Sequence, residues 1–170
     1  ELSPQLFPQD MLADVFRALP AKISSLNYLE ARGLSELRES LVQRLASRGI
    51  NVKPSNILIT SGSLQALQLI SVGMLKPGAQ VYTETPTYLK SLQVFQSAGI
   101  SFTGIAMDKS GLVPWKIGKV PSGSLLYTIP TYQNPTTLVM TAARRKEVFD
   151  FCSKYRLPIL EDDAYGELHF

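Results

Sequence analysis

Four short segments carry residues whose types and spacing could do chemistry. Ser61-Gly62-Ser63 sets two hydroxyls around a glycine at the start of a largely apolar run. Backbone N–H groups at a helix N-terminus, with hydroxyls beside them and a glycine that admits an anion to the backbone, suit a phosphate. An ordinary turn with a serine cap would use the same residues. Tyr88, after Glu84-Thr85-Pro86-Thr87, opens a helix either as a stacking platform or as packing. Asn134 lies between Gln133 and Pro135 in a proline-bounded loop, where turn formation is its ordinary use. Glu161-Asp162-Asp163-Ala164-Tyr165 follows an apolar run. Its carboxylates read as a solvated loop, as ligands to a divalent ion, or as one buried acid pairing with a protonated ring nitrogen. No histidine or further carboxylate is spaced to complete a metal shell. Asp162 and Tyr165, three apart on a turn, can face one ligand.

Elements that could position these segments alternate along the chain. Helical spacing marks residues 10–19 and 34–48, the second with Leu34, Leu37, Leu41, Val42 and Leu45 on one stripe and Gly49 as its stop. Residues 57–60 read as a strand and 64–75 as a buried helix ended by Lys76-Pro77-Gly78. A strand at 80–83, a loop at 84–87, a helix at 88–98 and a strand at 101–107 follow. Asp108 to Gly111 reads as a turn and 114–123 as surface loop. A strand at 124–129 leads to Pro130-Thr131-Tyr132-Gln133-Asn134-Pro135. Thr141 can cap a helix running to about 154, and 158–160 is a last strand. Strands alternating with helices argue for an α/β domain on a mostly parallel sheet, whose ligand sits beyond the carboxyl ends of the strands. All four segments are expected along that edge.

The composition narrows the classes. The 170 residues are 45% hydrophobic with net charge +3, and the basic residues are scattered, so nucleic-acid contact by this stretch is weakly supported. Arg144-Arg145-Lys146 reads as a solvated helix face, Trp115 as packing, and Cys152 and His169 are each alone. No apolar run reaches membrane-spanning length, and a single cysteine fits a reducing, cytoplasmic setting. Neither G-x-G-x-x-G nor G-x-x-x-x-G-K-[ST] occurs, which removes the usual dinucleotide and triphosphate readings.

Taken in order, Tyr28-x4-Gly33-x3-Leu37-Arg38, ITSGS (59–63), ETPTY (84–88), YTIPTYQNPTT (127–137) and LEDDAYGEL (160–168) resemble the large domain of fold-type I pyridoxal-phosphate aminotransferases of class I. The resemblance implies a three-layer α/β sandwich with a mostly parallel sheet, of which this chain is a truncated part. It divides the chain into an N-terminal arm over residues 1–30 and an incomplete cofactor-binding domain over 31–170. It also implies pyridoxal phosphate in the full-length protein, with Ser61, Gly62 and Ser63 forming the phosphate cup. Tyr88 would stack on the ring, Asn134 and Tyr165 would bond its phenolic oxygen, and Asp162 would pair with the ring nitrogen. Tyr28 would reach the phosphate of a neighbouring subunit in a homodimer. The lysine that carries the cofactor and the arginine that binds the substrate carboxylate lie downstream in the family. Residues 1–170 alone are therefore expected to hold no catalytic residue and not to transaminate. Thr137 stands where the family has glycine.

Within that superfamily, the segments 2–8, 28–50 and 94–100 look more like the effector domain of a MocR-type regulator of the GntR family. Its DNA contact would belong to a preceding winged helix, and its effector would be an amino acid or amine. The alternatives are a free-standing amino-acid aminotransferase and a non-catalytic α/β binding domain.

Overall fold

The computed structural model describes residues 5, 7–20, 28, 30–76 and 78–168. Much of the expected arm (1–4, 6, 21–27 and 29), together with Pro77, His169 and Phe170, lies outside the described residues. The chain divides into two compact units, Glu1–Ile59 and Thr60–Phe170.

The first unit carries helices α1 (Gln9–Ala18) and α2 (Ser35–Ser47) and a 3-10 turn at Pro54–Asn56. Among its described residues only Arg38 is buried. Its guanidinium donates to the carbonyls of Gly33 at 3.1 Å and Pro54 at 3.2 Å, and to Glu30 at 2.8 Å, tying the turn before α2 to the turn after it. Gly33 has φ +89°, and a Cβ there would sit 2.6 Å from the Ile59 side chain, so the motif requires glycine. The strand expected at 57–60 is not formed. That stretch joins no described strand, and Ile59 N–H donates to Arg32 O at 3.0 Å. Its β-prone side chains supply a preference for extended backbone but no ladder.

The second unit holds a five-stranded sheet ordered β3-β2-β1-β4-β5. Its strands are β1 (Gln80–Thr85), β2 (Ser101–Asp108), β3 (Gly111–Leu112), β4 (Leu125–Thr128) and β5 (Ile159–Glu161). All adjacent pairs are parallel except β2 with β3. Helices α3 (Ser63–Gly73), α4 (Leu89–Ser97) and α5 (Ala142–Tyr155) complete it. Period-two alternation along the strands separates two cores. Val81, Leu125 and Tyr127 pack with Leu67 of α3 and Phe95 of α4, whereas Tyr82, Ile105 and Leu126 pack with Val148 and Cys152 of α5. Helices therefore cover both faces, giving the three layers expected of a parallel sheet.

Four local expectations change. Glu84 and Thr85 belong to β1, because the strand is flanked by β2 along its length and Thr85 still pairs with Ala106. Gly111, placed in the turn, begins β3. The segment 114–123 is partly core, with Pro114 and Ile117 buried. Helix α3 buries Leu67 and Ser71 but leaves Val72 exposed.

The basic triplet is the largest revision. Arg144 is 6% exposed and lies on one helical stripe with Val148 and Cys152. It donates to the carbonyls of Gly111 (3.0 Å) and Leu112 (2.8 Å) and pairs with Asp108 (2.8 Å) and Glu147 (2.7 Å). Its guanidinium lies 5.0 Å from the ring centre of the half-exposed Trp115. Arg145 reaches Met140 O, Pro130 O and Thr131 Oγ1. Only Lys146 matches the solvated reading, pairing with Asp150 on the surface. Thr141 caps α5 as expected, its Oγ1 accepting from Arg144 N–H at 3.3 Å.

Arg144→Ala leaves two buried carbonyls without their donor and should cost about 2–3 kcal/mol in chemical denaturation. Arg144→Lys should recover less than half of that, because an ammonium cannot serve the carbonyls and both acids from one plane.

Candidate functional site

The sheet order reverses at β1. Residues following β1 cross to β2 on one side, and the chain later returns to add β4 and β5 on the other. Such a switch leaves a crevice beyond the carboxyl ends of β1 and β4. The segments following β1, β4 and β5 all emerge there.

A buried acid holds this edge together. Glu84, near the end of β1, is 2% exposed. Its carboxylate accepts from the Thr128 hydroxyl, from Ile129 N–H at 3.2 Å and from Gln133 Nε2 at 3.1 Å. Gln133 is itself 1% exposed and donates to Pro86 O at 2.8 Å. Its Oε1 accepts from Thr136 N–H and from the Thr136 hydroxyl. Glu84 and Gln133 thereby clamp the loop after β4 onto the loop after β1. Burial pushes the Glu84 carboxyl above its ordinary range; its hydrogen bonds oppose that shift, and the negative charge of Asp162 adds to it.

Above this clamp lies a cavity of about 130 Å³ lined by Ser63, Tyr88, Ile129, Asn134, Asp162, Ala164 and Tyr165. Tyr88 is the N-cap residue of α4 and Ser63 the first residue of α3. Asp162 follows β5, and its backbone N–H donates to Thr128 O at 2.9 Å. Its Oδ2 accepts from the buried Tyr127 hydroxyl at 2.8 Å. A more open hollow of about 270 Å³ adjoins, sharing Asn134 and Tyr165 and adding Tyr132 and Thr137. A larger shallow hollow beside the start of α1 is built from residues 5 and 7–11 alone.

Five of the eight sequence-derived site residues thus converge on one cavity: Ser63, Tyr88, Asn134, Asp162 and Tyr165. Ser61 and Gly62 form the turn into α3. Gly62 has φ +93°, a conformation suited to glycine, and no side chain caps the helix there. Ser61 N–H is met by Gln65 Oε1. The serine-cap alternative is therefore not what forms, and hydroxyls stand beside an uncapped helix start. Tyr28 is fully exposed on the first unit. Sequence reading assigned no role to Glu84, Gln133 or Tyr127. The available signal was an acid, an amide and a phenol inside otherwise apolar or proline-bounded segments.

The donor set suits a phosphorylated aromatic cation: an aromatic face in Tyr88, a carboxylate in Asp162, amide and phenol groups in Asn134 and Tyr165, and a helix start with hydroxyls. Among the described residues, no cluster of three His, Cys, Asp or Glu could hold a metal ion, and no helix is long and apolar enough to cross a membrane.

The model of the aminotransferase class I and II family matches residues 7–170. The chain is 48% identical to the uncharacterized HTH-type transcriptional regulator YisV of Bacillus subtilis, with all of this chain and 36% of that protein aligned. It is 33% identical to the aromatic-amino-acid aminotransferase 1 of Thermococcus litoralis over 99% of this chain and 43% of that one. Among solved structures, it matches an α-aminoadipate aminotransferase of Thermus thermophilus, complexed with N-(5'-phosphopyridoxyl)-L-leucine. That match has TM-score 0.83 and 30% identity over 98% of this chain and 43% of the other. The chain spans a little over a third of the regulator's length.

Two outcomes follow from the clamp and its loop. A folded-state carboxyl raised above its unfolded value makes a contribution that is fully present below the unfolded pKa, about 4.3, and is lost as pH rises through the folded value. The stability of the wild type relative to Glu84→Gln should therefore fall as pH climbs from about 4, read by denaturant titration at several pH values. A flat difference would remove Glu84 from that role. Thr137 has φ +62°, where a β-branched residue is strained by about 1–2 kcal/mol. Thr137→Gly should raise the denaturation midpoint by an amount worth about 1 kcal/mol, after glycine's unfolded-state entropy is subtracted.

Proposed function

This chain belongs to the aminotransferase class I and II family, and from that premise we propose that it is the pyridoxal-phosphate-binding, effector-sensing part of a transcriptional regulator of the GntR/MocR type. The observation that carries the reading is the single cavity shared by Ser63, Tyr88, Asn134, Asp162 and Tyr165. The 48% identity to an HTH-type regulator over the full chain supports the regulatory branch.

Each residue has a task in this reading. Ser61, Gly62 and Ser63 hold a phosphate at the start of α3, where backbone N–H groups and the helix dipole favour an anion. Tyr88 covers one ring face. Asp162 presents a negative oxygen to the ring nitrogen and keeps it protonated, while Asn134 and Tyr165 donate or share protons at the phenolic oxygen. When bound, the cofactor supplies an electron sink for chemistry at the α-carbon of an amino compound. The fully exposed Tyr28 is proposed to reach the phosphate site of a partner subunit in a homodimer. Residues 31–170 are proposed to belong to the larger cofactor domain.

The sensed ligand is an amino acid or amine, and the regulator would reside in the cytoplasm. DNA contact is assigned to a winged helix elsewhere in the protein, consistent with the scattered charge of these residues. A ligand shifts the DNA-bound population only by its difference in affinity between the two arrangements. A second reading, a free-standing amino-acid aminotransferase, is favoured by the 33% identity to the Thermococcus litoralis enzyme.

In the complete protein, Asp162→Ala should abolish retention of pyridoxal phosphate through desalting, followed by its absorbance; undiminished retention would strike Asp162 from the site. Ser61→Ala with Ser63→Ala should weaken pyridoxal phosphate by about tenfold and pyridoxal hardly at all, as expected for lost charge-assisted hydrogen bonds. Equal losses would reject the phosphate cup. Mobility-shift titration with the protein's own promoter DNA separates the branches. Cofactor-dependent DNA binding supports the regulator, and transamination without DNA binding supports the enzyme.

A further inference from the structure

The phenol of Tyr127 is buried in the sheet core, yet its hydroxyl reaches the cavity edge. Tyr127 lies on β4, is fully buried, and its ring meets Phe95 edge-on with centroids 5.6 Å apart. Leu67, Val81 and Leu125 belong to the same cluster. A hydroxyl so placed requires a partner, and it has one: it donates to Asp162 Oδ2 at 2.8 Å. The backbone N–H of Asp162 donates to Thr128 O, which fixes the main chain from which the carboxylate projects. No described residue donates to Oδ1.

We propose that Tyr127 is a positioning residue that occupies one oxygen of Asp162 and so aims the other at the ring nitrogen of a bound pyridine. The inference rests on the cofactor reading above and goes beyond it by naming what fixes the carboxylate. Two anchors, the main-chain bond to Thr128 and the phenol on Oδ2, leave the carboxylate one orientation. A neutral donor suits this better than a cation. It fixes the carboxylate without cancelling the charge that a protonated ring must meet. Burial, reinforced by the acids nearby, holds the phenol above its ordinary pKa, so Tyr127 stays a donor throughout the working range. The aromatic packing on Phe95 keeps the ring from following the carboxylate if that rotates.

The test compares pyridoxal phosphate with its 1-deaza analogue, in which carbon replaces the ring nitrogen, on the complete protein. Tyr127→Phe keeps the ring and its packing, and water can reach the half-exposed Asp162 in place of the lost donor, so the fold is retained; a thermal melt verifies it. The variant should bind pyridoxal phosphate about tenfold more weakly, the scale of one hydrogen bond to a charged group, and the deaza analogue within twofold of wild type. In an Asp162→Asn background, the same substitution should bring no further selective loss. Equal weakening of both ligands would mean that Tyr127 merely supports the pocket. Unchanged binding of both would mean that the phenol does not aim Asp162. Either result overturns the inference while leaving the cofactor site standing. If the wild type binds neither compound, the cofactor reading itself falls, and this inference falls with it.

Discussion

A carboxylate without water must find donors, and Glu84 finds them on a different strand and a different loop. Burying an ionised side chain unpaired costs several kcal/mol, so the acid at the end of β1 tolerates few arrangements of its surroundings. Thr128 and Ile129 satisfy it from the end of β4, and Gln133 satisfies it from the loop beyond. The same requirement brings Asn134 and Tyr88 together at one cavity, since Gln133 also holds Pro86. The cavity walls are thus set by an acid that is not among the residues lining it.

Around that clamp, the layers divide the work. Helices α3 and α4 cover one face and present their first turns to the cavity. Helix α5 covers the other face and, through Arg144, secures the two-residue β3 at the far side of the sheet. Arg144 and Glu84 solve one problem from opposite signs, each a buried charge answered by backbone and side-chain groups from distant segments. The apolar clusters supply most of the stabilising area, while these polar centres fix which loops stand next to which.

The alternation of strands and helices was legible because it depends on local periodicity and on Gly49 and Gly99 as stops. Most of the converging residues were legible too, because a hydroxyl-glycine turn, an aromatic helix start and an acid after a strand each announce a local geometry. What escaped depends on partners far along the chain. Residues 57–60 have strand composition but no strand beside them among the described residues. Glu84 read as loop because its donors lie some 45 residues on. Arg144 read as solvated because it sits in a basic triplet, although its spacing of four and eight from Val148 and Cys152 marks it as part of the buried stripe. The family's glycine at the position of Thr137 now has a reason: the backbone there is left-handed.

The strand order also dictates when this edge can exist. β1 is the middle strand, and its neighbours on the two sides are made at different times: β2 follows within a short crossover, while β4 arrives only after β3 and the loop behind it. The bonds to Glu84 span 44 to 49 residues of chain. Closing loops of that length costs conformational entropy before any contact repays it, so contacts of this kind slow folding. Every donor to Glu84 lies on β4 or in the loop after it, so the acid has none of them until that strand is in place. The acid gives up its hydration when β4 docks, and the cavity edge is complete only once β5 has followed, with Asp162 and Tyr165 behind it.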